Sequence, residues 1–147
     1  MEKLLTKAKT ENISVKYQFL EGLKGLSIKK KKCHIFLDET AMESTQEKKA
    51  VFAHELGHCL TDSFYALEDY ENPLYEQNIR KSETQASNMA VRLTVSPDDL
   101  IHAINCSENN YQAAELLDIT EQLFLSAIAY YEQANAIKRK AGKYILA

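Results

Sequence analysis

Hydrophobic and polar positions along the chain fall into two regimes. Residues 2 to about 11 carry Leu4, Leu5 and Ala8 on one side and lysines on the other, the pattern of a short amphipathic helix. From Ile13 the period changes to two, with Ile13, Val15, Tyr17 and Phe19 alternating with polar residues, as a half-buried strand requires. Gly22 and Gly25 interrupt it. Short strands around Leu26 to Ile28 and over "CHIFL", Cys33 to Leu37, follow, and the three together predict a small antiparallel meander.

Past Asp38 the period becomes helical. "STQE", Ser44 to Glu47, has the form of a capping box and predicts a helix over Thr45 to Thr61. An acidic, tyrosine-rich connection without periodicity runs from Asp62 to about Asn78, and a second long helix is predicted over Ile79 to Val95. "SP" at Ser96 and Pro97 stops it and starts the next helix, with Asp98 and Asp99 in the first turn. Tyr111 to about Lys140 reads as two more helices parted near Asp118 and Thr120. The fold class is therefore α+β in one domain, residues 1–100 carrying the sheet and the principal helices and 101–147 forming a helical extension.

Composition narrows the class without choosing a function. With 147 residues, 45% hydrophobic and 27% charged, and only Gly 4 and Pro 2, the chain can build a real core and shows no disorder or low-complexity signal. A net charge of −3 gives no overall pull toward nucleic acid or an anionic membrane, so a protein is the partner expected. The run Lys29 to Lys32 reads as a solvated hairpin turn that discourages edge pairing. Cys33, Cys59 and Cys106 are odd in number and widely spaced, so no disulfide framework is drawn and a reducing cytoplasm is expected. No apolar run has the length of a signal peptide or a membrane span.

Candidate chemistry sits in "KKAVFAHELGHCLTD". His54 and His58, four apart on a helix, project their imidazoles to one side and can share a tetrahedral ion. Glu55 is rotated by about 100° from His54, which suits a general base holding a water better than a ligand. Chance produces HExxH in roughly one chain of this length in a few hundred. Here the helix is also apolar or small nearly all round, with Phe52, Leu56, Cys59 and Leu60 on one flank and Ala50, Ala53 and Gly57 on another. Gly57 predicts close approach of a neighbouring element, and Cys59 reads as a small buried hydrophobe.

A catalytic zinc needs a third protein ligand. HExxHxxGxxH is excluded, because Thr61 and Phe64 stand at its glycine and third histidine. Glu83 instead interrupts the apolar line Ile79, Ala86, Ala90, Leu93, where a carboxylate is costly unless paired or bound to metal. Tyr65, Tyr70, Tyr75, Arg80, His34 and His102 are candidates to stabilise an oxyanion, with nothing in the sequence to separate them.

"KKAVFAHELGHCL" followed by "ETQASNMAVRLTVSP", with the form ExxAxxxA…P after a small sheet, resembles the ImmA/IrrE family of metallo-endopeptidases over about residues 13–100. Met89 stands where that family often has Phe or Trp, and Ser96 where it has an apolar residue, differences of packing rather than chemistry. The resemblance implies a zincin-like fold, one Zn2+ per chain held by His54, His58 and Glu83, and Glu55 as the catalytic glutamate. It further implies cleavage of a helix-turn-helix transcriptional repressor in a mobile-element or stress response, with substrate added as a strand along "CHIFL". Two rivals stand beside it. One is a non-enzymatic anti-repressor that binds without cutting. The other is a DNA-binding regulator, since Tyr111 to Tyr131 admits a helix-turn-helix with Ala113, Ala114, Leu117, Ile119 and Leu123 as core, although Thr120 to Gln133 has Glu121 and Glu132 but no Lys or Arg.

Overall fold

A computed structural model describes residues 1–65 and 70–147, so part of the acidic connection, 66–69, lies outside the described residues. The fold is α+β, and its contacts divide into two compact units, Met1–Ala90 and Val91–Ala147.

The first unit opens with α1 (Glu2–Thr10), which buries Leu4 and Ala8 and leaves Leu5 exposed. Strands β1 (Ser14–Tyr17), β2 (Gly25–Lys29) and β3 (Cys33–Leu37) form a sheet in the order β1-β3-β2. The expected antiparallel meander is corrected here: β2 and β3 pair antiparallel through the lysine turn, but β1 pairs parallel to β3. The cause is the connection 18–24, which crosses the end of β3 instead of turning back on β1. Asp38, the residue after β3 and only 2% exposed, anchors that crossing. Its carboxylate accepts the Leu20 N–H at 2.9 Å, and its own N–H donates to the Lys24 carbonyl at 2.9 Å. The Thr40 hydroxyl, then the Leu20 N–H, hold the Asp38 carboxyl below the usual carboxylate range.

One face of β3 carries Cys33, Ile35 and Leu37, all buried, and α2 (Thr45–Thr61) packs there with Phe52, Ala53 and Leu56. Cys59 of α2 is joined to Cys33 by a disulfide, which overturns its reading as an unpaired buried hydrophobe and removes the ground on which a reducing compartment was expected. Among the described residues, no helix is long and apolar enough to cross a membrane.

Helix α3 (Tyr75–Thr94) begins four residues before the sequence pattern suggests. Its first turn is polar on most sides, so no apolar period marks it. In the second unit, α4 (Pro97–Asn105) starts at the Ser96 cap with proline in the first turn, followed by α5 (Asn110–Leu116) and α6 (Glu121–Gln133). Asp118, at φ 54°, makes the turn between the last two. The helical reading to Lys140 fails beyond Gln133, where β4 (Ile137–Lys140) and β5 (Lys143–Leu146) form an antiparallel hairpin. Its two-residue turn has Ala141 and Gly142 both at positive φ, which the twist of a tight hairpin demands.

Candidate metal centre

Helix α2 is fixed at both ends. Ser44 Oγ accepts the Glu47 N–H at 3.0 Å, as a capping box predicts, but the return bond differs: Glu47 Oε2 accepts from Glu43 N at 2.8 Å, and its carboxylate also pairs with Lys24. At the other end Asp62 adopts a left-handed conformation, φ 51° and ψ 39°, and turns the chain sharply. That turn brings the Ser63 carbonyl back to His58 Nδ1 at 2.6 Å.

Between these ends His54 and His58 lie with ring centroids 4.9 Å apart and planes nearly perpendicular. Glu83, in the third turn of α3, meets both: Oε2 is 2.8 Å from His54 Nε2 and Oε1 is 3.2 Å from His58 Nε2. One ligand atom from each of the three residues falls within 4.8 Å of the others. Close helix packing makes this possible. Gly57 faces the backbone of α3 so tightly that a Cβ would sit 2.3 Å from the Ala86 carbonyl oxygen, three residues past Glu83, in line with the approach its sequence position predicts.

The donor chemistry fits a cation. Ser63 O can only accept, so His58 Nδ1 donates to it, and Nε2, an acceptor in that tautomer, is aimed at a carboxylate oxygen. Two facing acceptors attract only with a proton or a cation between them. Fixing a ligand histidine through its second ring nitrogen is also how metal sites orient imidazole. Ser87 plays a weaker part at His54, with Oγ 3.3 Å from Nδ1. Sequence reasoning missed both serines. Ser63 acts through a backbone atom, which no side-chain pattern reports, whereas Ser87 lies one turn after Glu83 and was open to inspection.

Glu83 is half-exposed rather than submerged in its apolar stripe, its side chain 41% accessible, because it faces a cleft. That cleft, of about 390 Å³, has Glu55, His58, Glu83 and Tyr65 on one side and Leu23, Gly25 and Leu26 of the β2 region on another. Gly25, expected only to break a strand, lets β2 approach α2: a Cβ there would lie 2.7 Å from Val51 Cγ1 and 3.0 Å from Glu55 Cγ. Phe64 stacks on His58 with centroids 6.1 Å apart.

The oxyanion candidates now separate. Tyr65 lines the cleft; burial, then the charge of nearby Glu83, push its phenol above the ordinary tyrosine range. Tyr75 lines an adjoining cleft with Tyr65, while Tyr70 and Arg80 are exposed. His34 is out of phase with Cys33 and Ile35, so it faces away from α2. His102 belongs to the second unit, 3.8 Å from the sulfur of Cys106. The strand expected to receive substrate is also corrected, since β3 is paired on both edges and, among the described residues, the free edge beside Glu55 is that of β2.

The chain matches no protein-family model, no curated protein and no solved structure.

Proposed function

We propose that this chain is a zinc-dependent endopeptidase of zincin-like fold, with His54, His58 and Glu83 as the metal ligands and Glu55 as its catalytic base. The observation that carries the reading is the convergence of two imidazole nitrogens and a carboxylate, with all ligand atoms within 4.8 Å, at a cleft that also holds a free carboxylate, Glu55. A Zn2+ held by His54, His58 and Glu83 would supply Lewis acidity toward a scissile carbonyl and toward the attacking water. Glu55 takes the proton of the attacking water and hands it to the leaving amine. Tyr65 donates a hydrogen bond to the oxygen on which charge develops. The edge of β2 that is unpaired among the described residues holds an extended substrate by main-chain hydrogen bonds, and Leu23 and Leu26 contact its side chains.

The resemblance to ImmA/IrrE peptidases, carried by "HELGH" and "ETQASNMAVRLTVSP", supports a helix-turn-helix repressor as substrate. Replacing Glu55 by Gln tests the assignment. The variant keeps its metal and loses cleavage of a helix-turn-helix repressor substrate by about 10²- to 10⁴-fold, the usual weight of a general base. Full relief of repression by Glu55→Gln would make the chain a binding module instead.

One observation favours a second reading for the second unit. Helices α4, α5 and α6 are followed by a hairpin exposing Lys138, Arg139, Lys140 and Lys143, the order of a winged helix-turn-helix. Because α6 has no Lys or Arg, phosphate contacts would come from the hairpin and would be independent of base sequence. Duplex DNA binding that weakens steeply with salt, and is lost in Lys138→Gln/Lys140→Gln, is the expected mark of that activity.

A further inference from the structure

The lysine turn and the Cys33–Cys59 disulfide take no part in peptide hydrolysis as described, yet they bound one cleft. It measures about 320 Å³ and is walled by Lys29, Lys31, Lys32, Cys33, Cys59 and Glu11, among others. Glu11 is drawn to Lys7 at 3.2 Å, and Lys29 reaches Asp62 at 3.7 Å. Lys31 and Lys32 are exposed, and among the described residues neither pairs with a carboxylate. The cleft therefore sets a surplus of positive charge over a disulfide whose half-cystines Cys33 and Cys59 line its wall and are themselves largely buried. Such a field concentrates anions at the entrance, and thiol–disulfide exchange is carried by an anion, the thiolate.

We propose that the Cys33–Cys59 disulfide, with Lys31 and Lys32 beside it, is a thiol–disulfide exchange site that takes small anionic thiols. A thiolate RS⁻ attacks one sulfur, the Cys33–Cys59 bond breaks, a mixed disulfide R–S–S–Cys forms, and the other cysteine leaves as thiolate and takes up a proton. A second RS⁻ attacks the mixed disulfide, RSSR departs, and the remaining cysteine is protonated. The protein gains two electrons and two thiols become one RSSR. Because Cys59 directly follows His58 and the bond joins the last turn of α2 to the start of β3, the exchange releases that turn from the sheet.

The site is independent of the peptidase assignment, and so is its test. Oxidised full-length protein is reduced with glutathione, which is anionic, and in parallel with cysteamine, which is cationic, and thiol release is followed by alkylation and mass spectrometry. Comparing Lys31→Gln/Lys32→Gln with wild type for each reagent cancels the reagents' intrinsic reactivities. Expected is a slowing of about tenfold or more for glutathione, the low end of electrostatic steering, with no slowing for cysteamine. Equal effects on both thiols, no effect on either, or freely alkylated Cys33 and Cys59 in air-purified protein would overturn the site. Amide exchange over residues 56–62 should rise at least severalfold on reduction; unchanged protection would refute the release of α2.

Discussion

At the residue scale, the centre depends on side chains and backbone atoms that aim one another. Gly25 is the sharpest case, because Val51 and Glu55 occupy the space a Cβ would need. Gly25→Ala should therefore displace Glu55 or β2 and lower kcat at least tenfold while metal content stays that of wild type, which kinetics and metal analysis on one preparation can check. Asp38 gives a pH prediction. Its carboxyl lies below the usual range in the folded protein, so it stabilises the fold above the unfolded value of about 3.9, and that contribution is lost as pH falls through the lower folded value. Melting temperature should fall from pH 5 toward pH 3, and in Asp38→Asn it should start lower and fall less. The grouping of His54 and His58 was legible because their geometry is local to one helix, and Glu83 because a carboxylate in an apolar line needs a reason. Ser63 was not, since its contribution is a carbonyl aimed by the backbone turn at Asp62.

Elements position these residues by their contacts, and there local pattern carried less. The bounds of α2 and β3 were readable from a cap and a strict alternation. Strand partnership was not, because alternation marks a strand without naming its neighbour, and the parallel pairing of β1 depends on a loop crossing pinned by Asp38. The β4–β5 hairpin was hidden because Ala141–Gly142 lacks the Asn or Asp that usually announces such a turn, and Lys138 to Lys140 resembles a basic helix end. The Gly57 contact was foreseen in kind, and its partner is now identified as α3. Gly57→Ala must push α3 away from α2, so overpacking should cost about 1–3 kcal/mol or more and separate Glu83 from the histidines. Lower thermal stability together with weaker zinc binding is the expected outcome of calorimetry; a stable variant with native zinc affinity would contradict the packing described.

For the whole molecule, the proposed site couples metal to fold. His54, His58 and Glu83 come from α2 and α3 and meet only in the folded first unit, so a metal bound there would stabilise it by mass action, about 2.7 kcal/mol at a hundredfold excess over Kd. A thermal shift on adding zinc, reversed by a chelator and absent in His58→Ala, should be seen. The most direct measurement is X-ray absorption at the zinc edge of the loaded full chain. Expected are one zinc per chain with two imidazole nitrogens and oxygen ligands at about 2.0–2.2 Å, and loss of the metal in Glu83→Ala. A sulfur shell near 2.3 Å, or no zinc retained, would contradict it.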